Sequence, residues 1–184
     1  FNTASVQAEW DLGPATLTLL PAYTKSKRYV ETSLITGTAA GSTLPFAGST
    51  WEETQRTLEA RLASPRGAAV QWVAGAYSYS SDNVQTGTPP SYPPPTYEAY
   101  DTKVPAKSNA VFGQASFPVA TAMRLTTGLR YTRDEKNYHY GLRSTSASTV
   151  VGYDSGLREV SKSYSSLTYK LGGEYDLAPQ SLLY

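Results

Sequence analysis

Apolar and polar side chains alternate with period two over most of this chain, which is the pattern of strands with two unlike faces. In residues 163–176 the odd positions read Leu167, Tyr169, Leu171, Gly173 and Tyr175. The even positions read Ser166, Thr168, Lys170, Gly172 and Glu174. Residues 123–138 set Leu125, Thr127, Leu129 and Tyr131 against Arg124, Thr126, Gly128 and Arg130. Residues 52–64 set Leu58, Ala60 and Leu62 against Thr57, Glu59 and Arg61. Val6, Ala8 and Trp10 alternate with Gln7, Glu9 and Asp11. Residues 15–27 place Leu17, Leu19 and Tyr23 opposite Thr16, Thr18 and Thr24, with Leu20 out of phase. Residues 69–84 and 107–117 also read as strands, although their faces are not assignable from the pattern. A further strand starts at Ser181, so the reading is all-β, with seven strands and a partial one.

The connections alternate in length. Short turns fall at Leu12-Gly13-Pro14, at Pro65-Arg66-Gly67-Ala68, at residues 118–121 and at Ala178-Pro179-Gln180. Between them lie the long segments 28–50, 85–106 and 139–162, rich in Gly, Ser, Thr and Pro, as irregular loops are. This rhythm predicts an antiparallel transmembrane β-barrel segment, with tight turns on one side of an outer membrane and long loops on the other. Trp10, Trp72, Phe117 and Tyr175 lie near the short turns, and Tyr23, Tyr79 and Tyr131 lie further along their strands. Two interfacial girdles need this spacing. Seven strands and a stub do not close a ring, so the segment is expected to belong to a larger barrel. A secreted β-sandwich that binds carbohydrate is the soluble alternative, but it rarely carries three long loops at one end.

Composition agrees with strands and narrows the chemistry. Tyrosine occurs 15 times and methionine once. With 16 basic and 15 acidic side chains there is no global field to draw nucleic acid. Without cysteine there is no disulfide framework or thiolate metal site. No window carries the roughly 18 apolar residues of a membrane helix, and the start carries no leader pattern. Together with the barrel reading, this predicts that residue 1 lies inside a longer chain.

Four phrases are more specific. Gln55-Arg56-Thr57-Leu58-Glu59-Ala60-Arg61-Leu62-Ala63-Ser64, Ala110-Val111-Phe112-Gly113-Gln114-Ala115, Thr127-Gly128-Leu129-Arg130-Tyr131-Thr132-Arg133-Asp134-Glu135 and Tyr169-Lys170-Leu171-Gly172-Gly173-Glu174-Tyr175-Asp176-Leu177, the last followed by Ser181-Leu182-Leu183-Tyr184, occur in this order. Together they resemble consecutive mid-barrel strands of TonB-dependent outer-membrane receptors, over nearly the whole chain outside the loops. The resemblance implies a barrel of about 22 strands with a plugged lumen, in the outer membrane of a Gram-negative bacterium. It implies active import of a scarce nutrient, most often a ferric siderophore, powered through the TonB complex. Residues 1–184 are then part of one barrel domain, with the plug and the remaining strands outside them. A receptor-like barrel that serves as a structural or docking subunit of an outer-membrane assembly is the other reading.

Enzymatic chemistry finds little support. His139 is the sole histidine, so a histidine-rich metal site is excluded and a Ser–His–Asp triad would have to use it. No cofactor motif, phosphate loop or nucleic-acid patch stands out, and no catalytic or metal-ligating set is predicted. The candidate ligand contacts are loop aromatics. Tyr138, His139 and Tyr140 sit together at a loop edge, and Tyr92 and Tyr97 flank the stiff proline run of residues 89–95. Rigid rings bind planar chelates at low entropic cost. A plain strand end and a stiff loop crest are the competing structural roles. Glu59, Arg61, Arg124, Arg130, Lys170 and Glu174 are expected on the lumen side, because facing lipid would cost a few kcal/mol each.

Overall fold

The computed structural model describes residues 1–32, 47–88, 96–146, 149–154, 158–178 and 181–184. Its strands are β1 (Asn2–Ser5), β2 (Ala8–Asp11), β3 (Thr16–Thr32), β4 (Ala47–Ala63), β5 (Gln71–Thr88), β6 (Thr96–Lys103), β7 (Ala106–Ala120), β8 (Met123–Ser146), β9 (Thr149–Asp154), β10 (Arg158–Ala178) and β11 (Ser181–Leu183). All belong to one antiparallel sheet, and no helix occurs among the described residues.

Two crossings of the sheet are each split into two strands at a proline, one into β1 and β2 and the other into β6 and β7. β1 and β2 pair with β3 in one continuous register, Ser5 opposite Ala22 and Ala8 opposite Leu19. Val6 donates to the Pro21 carbonyl at 3.1 Å. In an antiparallel ladder a residue's N–H and C=O face the same neighbour, so the bond that Pro21 cannot return is the one owed to Val6. β6 and β7 likewise run in unbroken register along β8, with Lys103 opposite His139 and Ala106 opposite Lys136. Pro105 accepts from Asn137 at 3.0 Å and has no N–H to give back. Counted this way the sheet has the seven crossings that the alternation predicts, with β11 as the partial eighth and β9 a short arm on the upper part of β8.

The short turns are locally specified. Gly13 has φ 85° and donates to Asp11 Oδ1 at 2.8 Å, while Leu12 donates to the Ala15 carbonyl at 2.9 Å. Gly67, with φ 82°, sits in a turn closed by Ala68 N–H on the Pro65 carbonyl at 3.2 Å. Side chains tighten that hairpin, since Gln71 Nε2 donates to the Ala68 carbonyl at 2.7 Å and Trp72 N–H to Ser64 Oγ at 3.1 Å.

The long connections differ from expectation. Segments 28–50, 85–106 and 139–162 were expected as irregular loops, but their flanks are strand. β3 continues to Thr32 and β4 starts at Ala47; β5 continues to Thr88 and β6 starts at Thr96; β8 continues to Ser146 and β10 starts at Arg158. Tyr29, Val30, Thr86, Tyr97, Val150 and Tyr153 in these flanks are residue types at home on a pleated surface. Each added pair extends a ladder whose register the hairpin below has already set.

Candidate functional site

The register sorts the sheet into two faces. One row runs Leu17, Leu62, Ala74, Gly113, Leu129 and Tyr169, and the row above it Leu19, Ala60, Ala76, Val111, Tyr131 and Leu167. Trp10, Trp72, Phe117, Met123 and Tyr175 border this apolar field on the short-turn side. Tyr23 and Tyr131 border it on the other side. Beyond them the same face turns ionic, with Lys27–Glu52 at 2.6 Å, Arg56–Asp82 at 3.6 Å and Arg133–Glu135 at 3.1 Å. Arg56 also lies 5.9 Å from the Tyr23 ring centroid. Glu52 stands above the apolar field, and the Lys27 ammonium beside it holds its carboxyl below the usual carboxylate range.

The opposite face is polar. Glu59, Arg61, Arg124, Arg130, Lys170 and Glu174 all lie on it, as expected: Arg61 is in register with Gly75, Phe112 and Arg130, and Arg124 with Glu174. Tyr79 was expected in the upper girdle, but it is in register with Thr57 and Ser108 on this polar face. Its own strand offers apolar residues in both phases, Trp72, Ala74 and Ala76 in one and Val73, Tyr77 and Tyr79 in the other. Only the neighbouring strands decide between them.

At the centre of the polar face Arg130 lies 5.7 Å from the Phe112 ring centroid and 5.9 Å from that of Tyr77, and its Nε donates to Thr132 Oγ1 at 3.1 Å. Phe112 sits over Gly75, where an added Cβ would come within 2.6 Å of the ring and of the Ala60 carbonyl. The missing side chain therefore makes room for the ring, and the ring helps fix the guanidinium. Arg61 pairs with Glu59 beside them. Higher up, Glu53 accepts from Gln55 Nε2 at 2.7 Å and from buried Ser81 Oγ at 3.4 Å. Lower down, buried Thr126 donates to Ser116 Oγ at 3.0 Å. Hydroxyl, amide, guanidinium and phenol groups thus line this face, which suits hydrogen bonding and stacking. Among the described residues no group of three or more His, Asp or Glu is placed to hold a metal ion.

The aromatic candidates are distributed differently from the expected loop cluster. Tyr138, His139 and Tyr140 lie within β8, opposite Val160, Glu159 and Arg158 of β10. Alternation splits them. Tyr138 and Tyr140 continue the polar face, whereas His139 is on the other face, with Nδ1 3.7 Å from Glu159. Tyr97 is in β6 opposite Thr145, and its side chain lies outside the described residues, as does Tyr92 altogether. The grouping of Arg130 with Tyr77 and Phe112 was missed in the sequence. Its available signal was that Phe112 falls in the same phase as Ala110 and Gln114, opposite Val111.

A family model described as TonB dependent receptor-like, beta-barrel, matches residues 1–184. The chain belongs to this family. The fold agrees, because the chain is similar to the crystal structure of FyuA, the ferric yersiniabactin uptake receptor of Yersinia pestis. The TM-score is 0.72 at 14% identity, covering 96% of this chain and 26% of FyuA. The chain thus spans about a quarter of that receptor's length. None of the curated protein sequences matches it. TonB-dependent receptors are outer-membrane proteins, and the two faces take their meaning from that setting. A strand that crosses a bilayer shows apolar side chains to lipid and polar ones to the lumen, with aromatic girdles at the two interfaces.

Proposed function

We propose that residues 1–184 form part of the wall of a larger outer-membrane barrel that imports a scarce nutrient, a ferric siderophore before other classes. The observation that carries this reading is the segregation of faces that the register carries across the crossings of the sheet, with Leu20 beside Glu59 among the few exceptions. An apolar field between aromatic borders lies on one face, and Arg130, Tyr77, Phe112 and Tyr138 lie on the other. Similarity to a ferric-siderophore receptor supports the nutrient class. Hydrocarbon tolerates no unpaired backbone, so the outer edges of β1 and β11 need further strands. Those strands, a lumenal plug and its coupling to the TonB complex belong to the rest of the parent protein in this proposal.

Ligand contact then falls to Tyr138 and Tyr140 on the lumen side, with Tyr92 and Tyr97 kept as candidates. His139 drops to a wall position. The test is uptake and binding of a panel of labelled ferric siderophores by the full-length receptor. Tyr138→Ala and Tyr140→Ala should weaken binding about tenfold, a loss of roughly 1.4 kcal/mol, while His139→Ala leaves it unchanged. Energy-independent binding without uptake would favour a docking or structural role. Unchanged affinity in both tyrosine variants would remove these residues from the site.

A further inference from the structure

The apolar face carries a furrow. Between β4, β5, β7 and β8, Ala60 and Ala76 lie side by side, with Ala74 and Gly113 in the row below and Ala115 below that. The walls are longer: Leu58, Val111 and Tyr131 line a groove of about 440 Å³, with Arg133 at its upper end. A wall that needed only to be apolar would be served by Leu or Val at every one of these positions, as on the neighbouring strands. The small side chains of Ala60 and Ala76 instead sink the surface between these walls. An α-helix with its side chains is about 10–12 Å across, too wide for this slot, whereas a single alkyl chain fits it.

The upper end is built for the other half of an amphiphile. The row at the mouth holds Ser78, Asn109 and Arg133, and the next row holds Arg56, Ser80, Lys107 and Glu135. Arg133 is shared with Glu135 and Arg56 with Asp82. Lys107 makes no ion pair among the described residues. Two guanidinium groups, one free ammonium, two hydroxyls and an amide therefore gather with the Asp82 and Glu135 carboxylates where the groove leaves the apolar field, on the side of the long hairpins, and the cations outnumber the anions by one. In a receptor barrel that side is extracellular.

We propose that this groove is a seat for one acyl chain of a phosphorylated glycolipid of the outer leaflet, with Lys107 and Arg133 on the phosphate. The proposal rests on the outer-membrane reading above. Alkyl burial in the Ala-lined slot supplies affinity in proportion to the area covered. A basic side chain near an anionic lipid headgroup adds electrostatic attraction. Preference over zwitterionic lipid thus comes from the mouth, and preference over bulk lipid at an ordinary stretch of wall comes from the slot.

The test uses the full-length receptor in phosphatidylcholine nanodiscs doped with lipid A or, in a parallel arm, with phosphatidylglycerol, and reads retained lipid by native mass spectrometry. Wild type should retain one lipid A molecule above the bulk ratio. Lys107→Glu with Arg133→Gln should lower that retention about tenfold. Ala76→Phe, or Ala60→Leu if the first fails to insert, should lower it as far by filling the slot. Lys25→Glu, on the same face but outside the furrow, should leave it unchanged. No enrichment in a correctly inserted wild type, or full retention in an inserted groove-filled variant, overturns the proposal. Equal enrichment of phosphatidylglycerol overturns the glycolipid assignment. Failure of the wild type to insert at all overturns the barrel reading and the lipid seat together, so the two failures are distinguishable.

Discussion

Arginine at Leu129 tests the assignment of faces where an error would cost most. Leu129 lies on the apolar face between Gly113 and Tyr169. Along β8, Met123 marks the lower border and Arg133 the upper ionic rim. The ten steps between them, at roughly 3.4 Å each and a tilt near 40°, cover about 26 Å along the membrane normal. That agrees with the apolar band of about 25 Å expected for such a barrel. By the same rise Leu129 stands about 16 Å above Met123 and about 10 Å below Arg133, near the midplane. An arginine there should cost about 2–4 kcal/mol, a roughly thirtyfold to several-hundredfold loss in the folded-to-unfolded ratio. The matched control is Ser166→Arg, on the polar face opposite Thr132, where a surface change costs about 0.5 kcal/mol or less. Urea unfolding of the full-length receptor in lipid vesicles, extrapolated linearly to water, measures both. Equal costs would mean that the faces are not divided between lipid and lumen. A greater cost at Ser166 would mean that the sheet is turned inside out.

Three further outcomes follow from local geometry. Gly75→Ala should destabilise the barrel by about 1–3 kcal/mol in the same assay, because the new methyl meets both the Phe112 ring and the Ala60 carbonyl; adding Phe112→Leu should recover only part, since the carbonyl cannot move aside. Gly67→Ala meets no atom within 4 Å but keeps a positive φ, so it should cost about 1–2 kcal/mol through backbone strain alone, with Gly67→Asn milder. The carboxyl of Glu52 is held low by Lys27, so its stabilising effect is present above the unfolded-state value and lost as pH falls through the lower folded-state one. Glu52→Gln should therefore shrink the difference between urea midpoints at neutral and strongly acid pH, slightly, because the pair is exposed.

What the sequence made legible is what a single strand expresses by itself. Leu125 to Tyr131 and Leu167 to Tyr175 each alternate clearly enough to place every side chain, and the lumen set from Glu59 to Glu174 came out on one face without exception. β5 did not express its facing, because Trp72, Ala74 and Ala76 compete with Val73, Tyr77 and Tyr79 for the apolar side. The choice is made by Leu62 and Val111 on the flanking strands, which meet Ala74 and Ala76 and leave Tyr79 among Thr57 and Ser108. The same physics undid the aromatic cluster. Tyr138, His139 and Tyr140 are neighbours along the chain, and as a loop they would have formed one surface. As strand they are divided, with His139 beside Glu159 and the two tyrosines on the opposite face. The contacts that group side chains on the polar face join residues from separate strands, Tyr77 from β5, Phe112 from β7 and Arg130 from β8. Those contacts follow from register, and register is settled by hairpins and proline interruptions that a period-two pattern does not encode. A candidate site on a barrel wall is therefore better sought across the rows of the sheet than along any one of its strands.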